Sequence, residues 1–185
     1  PYTYSWSPSG GNNSSASNLA AGNYVVTATD ATGCPTSLNV NLTQPTSIAL
    51  SVTANNVRCF GASTGSALAS ASGGTGTYQF TWLPSGATGA QINNLPAGNY
   101  SVRVTDANSC TRTEPVTITQ APLINANISS TVVNCNNGND GSATITASGG
   151  TGSLSYLWSP GSQTTNSISG LTPGTYSVAV RDSFG

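Results

Sequence analysis

The sequence contains no histidine, lysine or methionine. Of its 185 residues only nine carry charge: Arg58, Arg103, Arg112, Arg181, Asp30, Asp106, Asp140, Asp182 and Glu114. That is 5%, against about 25% in an ordinary soluble domain. Each absence removes a chemistry. Zinc and haem sites lean on histidine, and most acid–base catalysis on histidine or a carboxylate pair. A serine nucleophile would need a histidine, lysine or carboxylate beside it, and the aspartates are spread too thinly to pair for glycoside hydrolysis. Four scattered arginines cannot neutralise a nucleic-acid backbone. No apolar run approaches the roughly 20 residues of a membrane span, and no stretch has the form of a signal peptide. The expectation is a non-enzymatic protein with no catalytic residues, metal or cofactor.

What is present is Ser, Thr and Asn (28, 26 and 19 residues) with 21 Gly. Such a composition can mark a disordered linker. Against that, 36% of the residues are apolar, three are Trp, and the net charge is only −1. The apolar residues also alternate in short runs. A folded chain is therefore expected, kept soluble by hydroxyls and amides. Salt should affect it little, because screening acts on charges.

The chain repeats with a period of 76 residues. Trp6, Trp82 and Trp158 are one such series; Tyr24, Tyr100 and Tyr176 are another; Asp30, Asp106 and Asp182 a third. Cys34 recurs as Cys110, and Cys59 as Cys135. The period is too long for a solenoid and suits one small β-domain per copy. Linker signals at Gln44-Pro45-Thr46 and Gln120-Ala121-Pro122 place one complete copy at 46–121. Residues 1–45 are then the C-terminal part of a repeat, and 122–185 the N-terminal part of another. We call the three copies one, two and three.

Copy two divides into period-2 segments. Ile48, Leu50 and Val52 predict a first strand; Ala67, Ala69 and Ala71 a second; Tyr78, Phe80 and Trp82 a third. Ile92 marks a short fourth. Tyr100, Val102 and Val104 predict a fifth, with Ser101, Arg103 and Thr105 outward, and Val116 and Ile118 a last. Six or seven short strands without a 3.6 period predict an all-β fold, tandem immunoglobulin-like Greek-key β-sandwiches. Trp6, Trp82, Trp158, Tyr24, Tyr100 and Tyr176 are the expected structural core. Leu95 to Tyr100 and Leu171 to Tyr176 have the form of a tyrosine corner.

Four cysteines allow three pairings. Cys59 with Cys110 leaves each copy complete, with the mates of Cys34 and Cys135 outside these residues. The alternative joins Cys34 to Cys59 and Cys110 to Cys135; a third reading leaves four buried thiols. A Cys59–Cys110 bond would stabilise by about 4 kcal/mol in the chain-entropy model. Repeated cysteines without a Cys-x-x-Cys pair or histidine favour an oxidising, extracellular place over a zinc site. Each turn aspartate is expected to form an Asx-turn. Asn136 to Gly141 adds oxygen donors, but copy two has no aspartate there, so a repeated calcium site is not expected. Gly-Gly-Thr-Gly at 73–76 and 149–152 joins strands and is expected to be a turn. Asn-x-Ser/Thr at Asn12, Asn13, Asn41 and Asn127 is uninformative in so biased a sequence.

Pro1 to Pro8, the Leu-x-x-Gly-x-Tyr-x-Val stretch, Thr-Asp-Ala-x-x-Cys, Thr-Gln-Pro and Cys135 to Thr144 together resemble the SprB repeat family. Copy two departs from it where Phe60 follows Cys59 and the loop lacks Asp-Gly. The resemblance implies long arrays on very large surface proteins of gliding Bacteroidota, exported by type IX secretion. It implies a structural, adhesive stalk in a gliding-motility filament. Its partners would be neighbouring repeats and surface polysaccharide or an abiotic surface. A carbohydrate-binding or accessory array of a secreted polysaccharide-degrading enzyme is the alternative.

Overall fold

The computed structural model describes residues 1–134 and 138–185. Every regular element in them is a β-strand. The chain forms two compact units, residues 1–47 with 73–75, and residues 48–72 with 76–185.

The first unit holds β1 (Thr3–Ser7), β2 (Gly22–Thr29) and β3 (Pro35–Leu42). They make one antiparallel sheet in that order. Tyr24 is buried, while Trp6 is only half-buried, as this unit has one sheet to cover it.

The second unit contains all six strands of copy two. Its strands are β4 (Ala49–Asn55), β5 (Gly65–Ser72), β6 (Gln79–Leu83), β7 (Gln91–Leu95), β8 (Gly98–Thr105) and β9 (Thr111–Ile118). They form two antiparallel sheets, β4-β5-β7 and β6-β8-β9. The chain changes sheet at every connection between β5 and β8, which is the immunoglobulin-like Greek-key arrangement. The alternation read from the sequence sets the inner faces: Ala67 and Ala69 are buried, while Leu68 between them is half-exposed. Val102 and Val104 do the same on β8. Of the three residues expected outward, Arg103 is exposed, whereas Ser101 and Thr105 are partly covered. Residues from both sheets close one core around Trp82. Pro115 sits inside β9, where an edge strand tolerates the missing N–H.

Two contributors to this core sit at the ends of elements. Val57 follows β4 and is 3% exposed. Ile118 ends β9 and presses on Gly65, where a Cβ would stand 2.7 Å from Ile118 Cγ2 and 2.8 Å from the Leu95 carbonyl oxygen. Only a residue without a side chain fits there, and the β5–β7 register shifts beside it.

Copy three repeats the plan with β10 (Asn125–Thr131), β11 (Gly141–Ser148), β12 (Ser155–Ser159), β13 (Ser167–Leu171) and β14 (Ser177–Arg181). Its sheets are β10-β11-β13 and β12-β14, closed over Ala143, Ile145, Trp158 and Ile168. A cis peptide follows the tryptophan strand in every copy, at Ser7-Pro8, Leu83-Pro84 and Ser159-Pro160.

The outer faces are laced by hydroxyls. Thr27 and Ser37 approach to 2.8 Å, Ser51 and Ser70 to 2.7 Å, and Thr144 and Ser167 to 2.8 Å. Arg112 and Glu114, two apart on β9, form a salt bridge of 2.8 Å. Half-exposed pairs of this kind contribute about 0–1 kcal/mol.

Candidate functional site

Each copy carries the same anchors. The Trp82 indole is fully buried, and its Nε1–H donates to the Gly89 carbonyl at 2.9 Å. Trp158 donates to Thr165 O at 2.9 Å and Trp6 to Asn13 O at 3.0 Å, always seven residues on. A buried indole N–H needs such a partner. The tyrosines brace the turn before their strand. Tyr100 Oη donates to Pro96 O at 3.0 Å, Tyr24 to Ala20 O at 3.0 Å, and Tyr176 to Thr172 O at 3.2 Å. These are tyrosine corners.

The aspartates organise the turn after the tyrosine strand. Asp30 Oδ1 accepts from the N–H groups of Thr32 and Cys34, both at 2.9 Å. Asp106 Oδ1 accepts from Asn108 N at 2.9 Å and Cys110 N at 2.8 Å. Asp182 Oδ1 accepts from Phe184 N at 2.9 Å, and its Oδ2 from Thr151 N at 2.9 Å. The hydroxyl of Thr32 and the amide of Cys34 hold the Asp30 carboxyl below the usual aspartate value. Bonds from the side chain and backbone of Asn134 do the same for Asp140. A folded pKa below the unfolded one gives stability that is present above the unfolded value and lost as pH falls through the folded value. The amide signals of Thr32 and Cys34 should therefore shift with a midpoint below 3.8 in an NMR acid titration; a midpoint at or above it would refute the assignment.

The cysteines depart from expectation. Cys34, Cys59 and Cys110 are free and exposed, neither paired nor buried. Cys135, with Asn136 and Asn137 of the possible calcium loop, lies outside the described residues. Topology explains why Cys59 and Cys110 stay apart. Cys110 immediately precedes β9. The loop of Cys59 is bonded beyond the far end of that strand, with Val57 N donating to Thr119 O at 2.9 Å and Gly61 N to Gln120 Oε1 at 2.8 Å. Eight residues of β9 intervene, about 25 Å at the usual rise. A disulfide needs Cα atoms within about 7 Å. Among the described residues no three His, Cys, Asp or Glu side chains cluster to hold a metal.

The family model of the SprB repeat matches residues 51–87 and 127–163. The two segments are the same stretch of copies two and three, from the first strand to the loop after the tryptophan strand. Copies two and three each match the SprB repeat. This repeat type points to a cell-surface, adhesin-type array. A comparison with curated proteins finds no match. Among solved structures, the chain is similar to an amphioxus IgVJ-C2 molecule at 18% identity and a TM-score of 0.32, over 64% of this chain and 88% of that one. No helix among the described residues is long and apolar enough to cross a membrane.

The contacts made at the joint between copies two and three were not legible in the sequence. Residues 119–124 connect β9 to β10. Thr119 N donates to Asn56 Oδ1 at 2.9 Å on the copy-two side, and Gly150 N to Pro122 O at 3.0 Å on the copy-three side. The guanidinium of Arg58 lies 5.3 Å from the centre of the Phe184 ring, a cation–π distance. Phe60 lines a cleft there with Leu123 and Val180. Phe60 and Phe184 thus belong to the joint, although each is half-exposed. Tyr2 is exposed on the first unit, and Tyr4 is half-buried.

An apolar groove in copy three runs along Ile128, Val133, Gly141, Trp158 and Tyr176. The corresponding residues of copy two include Val57, Gly65 and Trp82, which Ile118 of β9 packs against. The groove corresponds to the place that strand takes in copy two, and the hydroxyls of Ser130, Thr131, Ser142, Thr172 and Thr175 share its lining.

Proposed function

We propose that these SprB repeats form a load-bearing stalk of a secreted cell-surface adhesin filament, of the gliding-motility type, with a mechanical rather than catalytic role. The observation that supports this reading is how the first and last strands of copy two meet. Val57 and Gln120 bridge in parallel. Tension enters at the start of β4 and leaves at the end of β9, at opposite ends of the sandwich. The bonds of Val57, Asn56 and Gly61 to residues 119–120 are therefore sheared together instead of peeled one by one. A surface of neutral hydroxyls suits contact with polysaccharide or an abiotic surface. The adhesive contact proper is assigned to a distal region held away from the cell.

Pulling single molecules of tandem complete copies tests the stalk. Each copy should rupture as a unit, releasing roughly 200–250 Å for 76 residues at about 3.3–3.6 Å each, less the folded length. Smooth extension without discrete ruptures would refute the load-bearing role. Tight, selective binding on a glycan array would instead favour the carbohydrate-binding alternative.

A further inference from the structure

We propose that the two cysteines of each copy staple it to its two neighbours: the cysteine after β4 bonds the turn cysteine of the following copy.

Three observations carry this. First, the aspartate turn fixes where its cysteine stands. Cys34 and Cys110 each give their N–H to the aspartate Oδ1, at 2.9 and 2.8 Å. Each also accepts from the aspartate N–H, at 3.1 and 2.9 Å. Second, copy three builds the same turn. Gly185 N donates to Asp182 O at 3.1 Å, as Gly33 does to Asp30 at 3.1 Å and Ser109 to Asp106 at 3.0 Å. The position directly after Gly185 is therefore the counterpart of Cys34 and Cys110. Third, this turn of copy three abuts the Cys59 loop of copy two. Cys59, Phe60, Asp182 and Gly185 line one cleft, and Arg58 lies against Phe184.

The arrangement accounts for every cysteine described. Cys59 faces the copy that follows, at one end of its sandwich. By the same rule Cys110, at the other end of the sandwich, and Cys34 in its own turn would each bond the cysteine after the first strand of the copy before. No pair forms within a copy because each half of the bond belongs to a different one. The step is a two-electron oxidation. The two thiols lose two protons and two electrons and form one S–S bond, while a disulfide oxidant is reduced to two thiols. Oxidised glutathione serves as that oxidant in the test.

The test appends one cysteine after Gly185 and oxidises the otherwise unchanged chain with oxidised glutathione. Cleavage after Arg58, Arg103, Arg112 and Arg181 puts Cys34, Cys59, Cys110, Cys135 and the appended cysteine on five separate peptides. Mass spectrometry without reduction should find the 59–103 peptide joined to the C-terminal peptide as the main product, in monomeric chains. Cys59→Ser should abolish that product, and Cys110→Ser should leave it unchanged. Cys59 joined to Cys34, Cys110 or Cys135 would overturn the proposal. So would recovery of Cys59 and the appended cysteine only as glutathione adducts or in links between chains.

Discussion

Replacing Trp82 by alanine should unfold copy two or leave it barely folded. Removing a fully buried tryptophan costs about 3–5 kcal/mol. A 76-residue domain has a stability of roughly 4–11 kcal/mol at 0.05–0.15 kcal/mol per residue. The loss is thus about a quarter of the total at the least. Geometry places the cost at the upper end. The ring is in contact with both sheets, so the cavity opens in the middle of the core, and its rigid β-sheet walls cannot collapse into it. The Gly89 carbonyl also loses its donor. Trp6→Ala should cost much less, because that ring is only half-buried. Urea unfolding of the 185-residue chain, followed by the signals of the remaining tryptophans, compares the two. Equal effects would mean that the tryptophan is not the keystone of the sandwich.

Gly149→Ala should be the most damaging single-methyl change at the joint. Gly149 has φ +91°, where an L-residue pays about 1–2 kcal/mol. A Cβ there would also run into the backbone carbonyl of Leu123 and stand 3.3 Å from Ile124 Cα. These are main-chain atoms of the linker and cannot swing aside as a side chain would. The neighbouring Gly150–Pro122 bond would be displaced with them. A loss above about 2 kcal/mol is expected, in the class set by strained backbone and overpacking. Gly174→Ala is the control. Its Cβ would meet ordinary contacts at 3.8 and 3.9 Å, so its effect should stay within about 1 kcal/mol. Urea unfolding reads the cost, and hydrogen exchange at residues 123–126 locates it. A Gly149→Ala chain as stable as the control would show that the linker moves freely.

The sequence revealed what depends on neighbours along a strand. Alternation at Ala67/Ala69 and Val102/Val104 locates the strands and their inner faces, because a strand's side chains have period 2. The tryptophan and tyrosine series stand out by repetition, and each proves to be held by a backbone carbonyl at a fixed offset. What depends on the ends of elements was hidden. Val57 is a core residue because a loop folds back, and no alternation marks it; Ile118 alternates with Val116, but nothing along its strand shows that it reaches across to Gly65. The spacing of Cys59 and Cys110 says nothing about which end of a sandwich each occupies; strand order decides that. The Arg58–Phe184 contact depends on two copies meeting. Arg112 and Glu114 are two apart on one strand face, and only the strand boundaries make that pairing evident.

The linker between copies two and three is bonded on both sides, to Asn56 and Val57 before it and to Gly150 after it. A cord fixed at both ends this closely has no slack in which to swivel. Rotating one copy about the long direction of the chain must carry the next one round with it. In the proposed stalk such a joint would pass torque as well as tension, so a series of them would act as a drive shaft rather than as a rope.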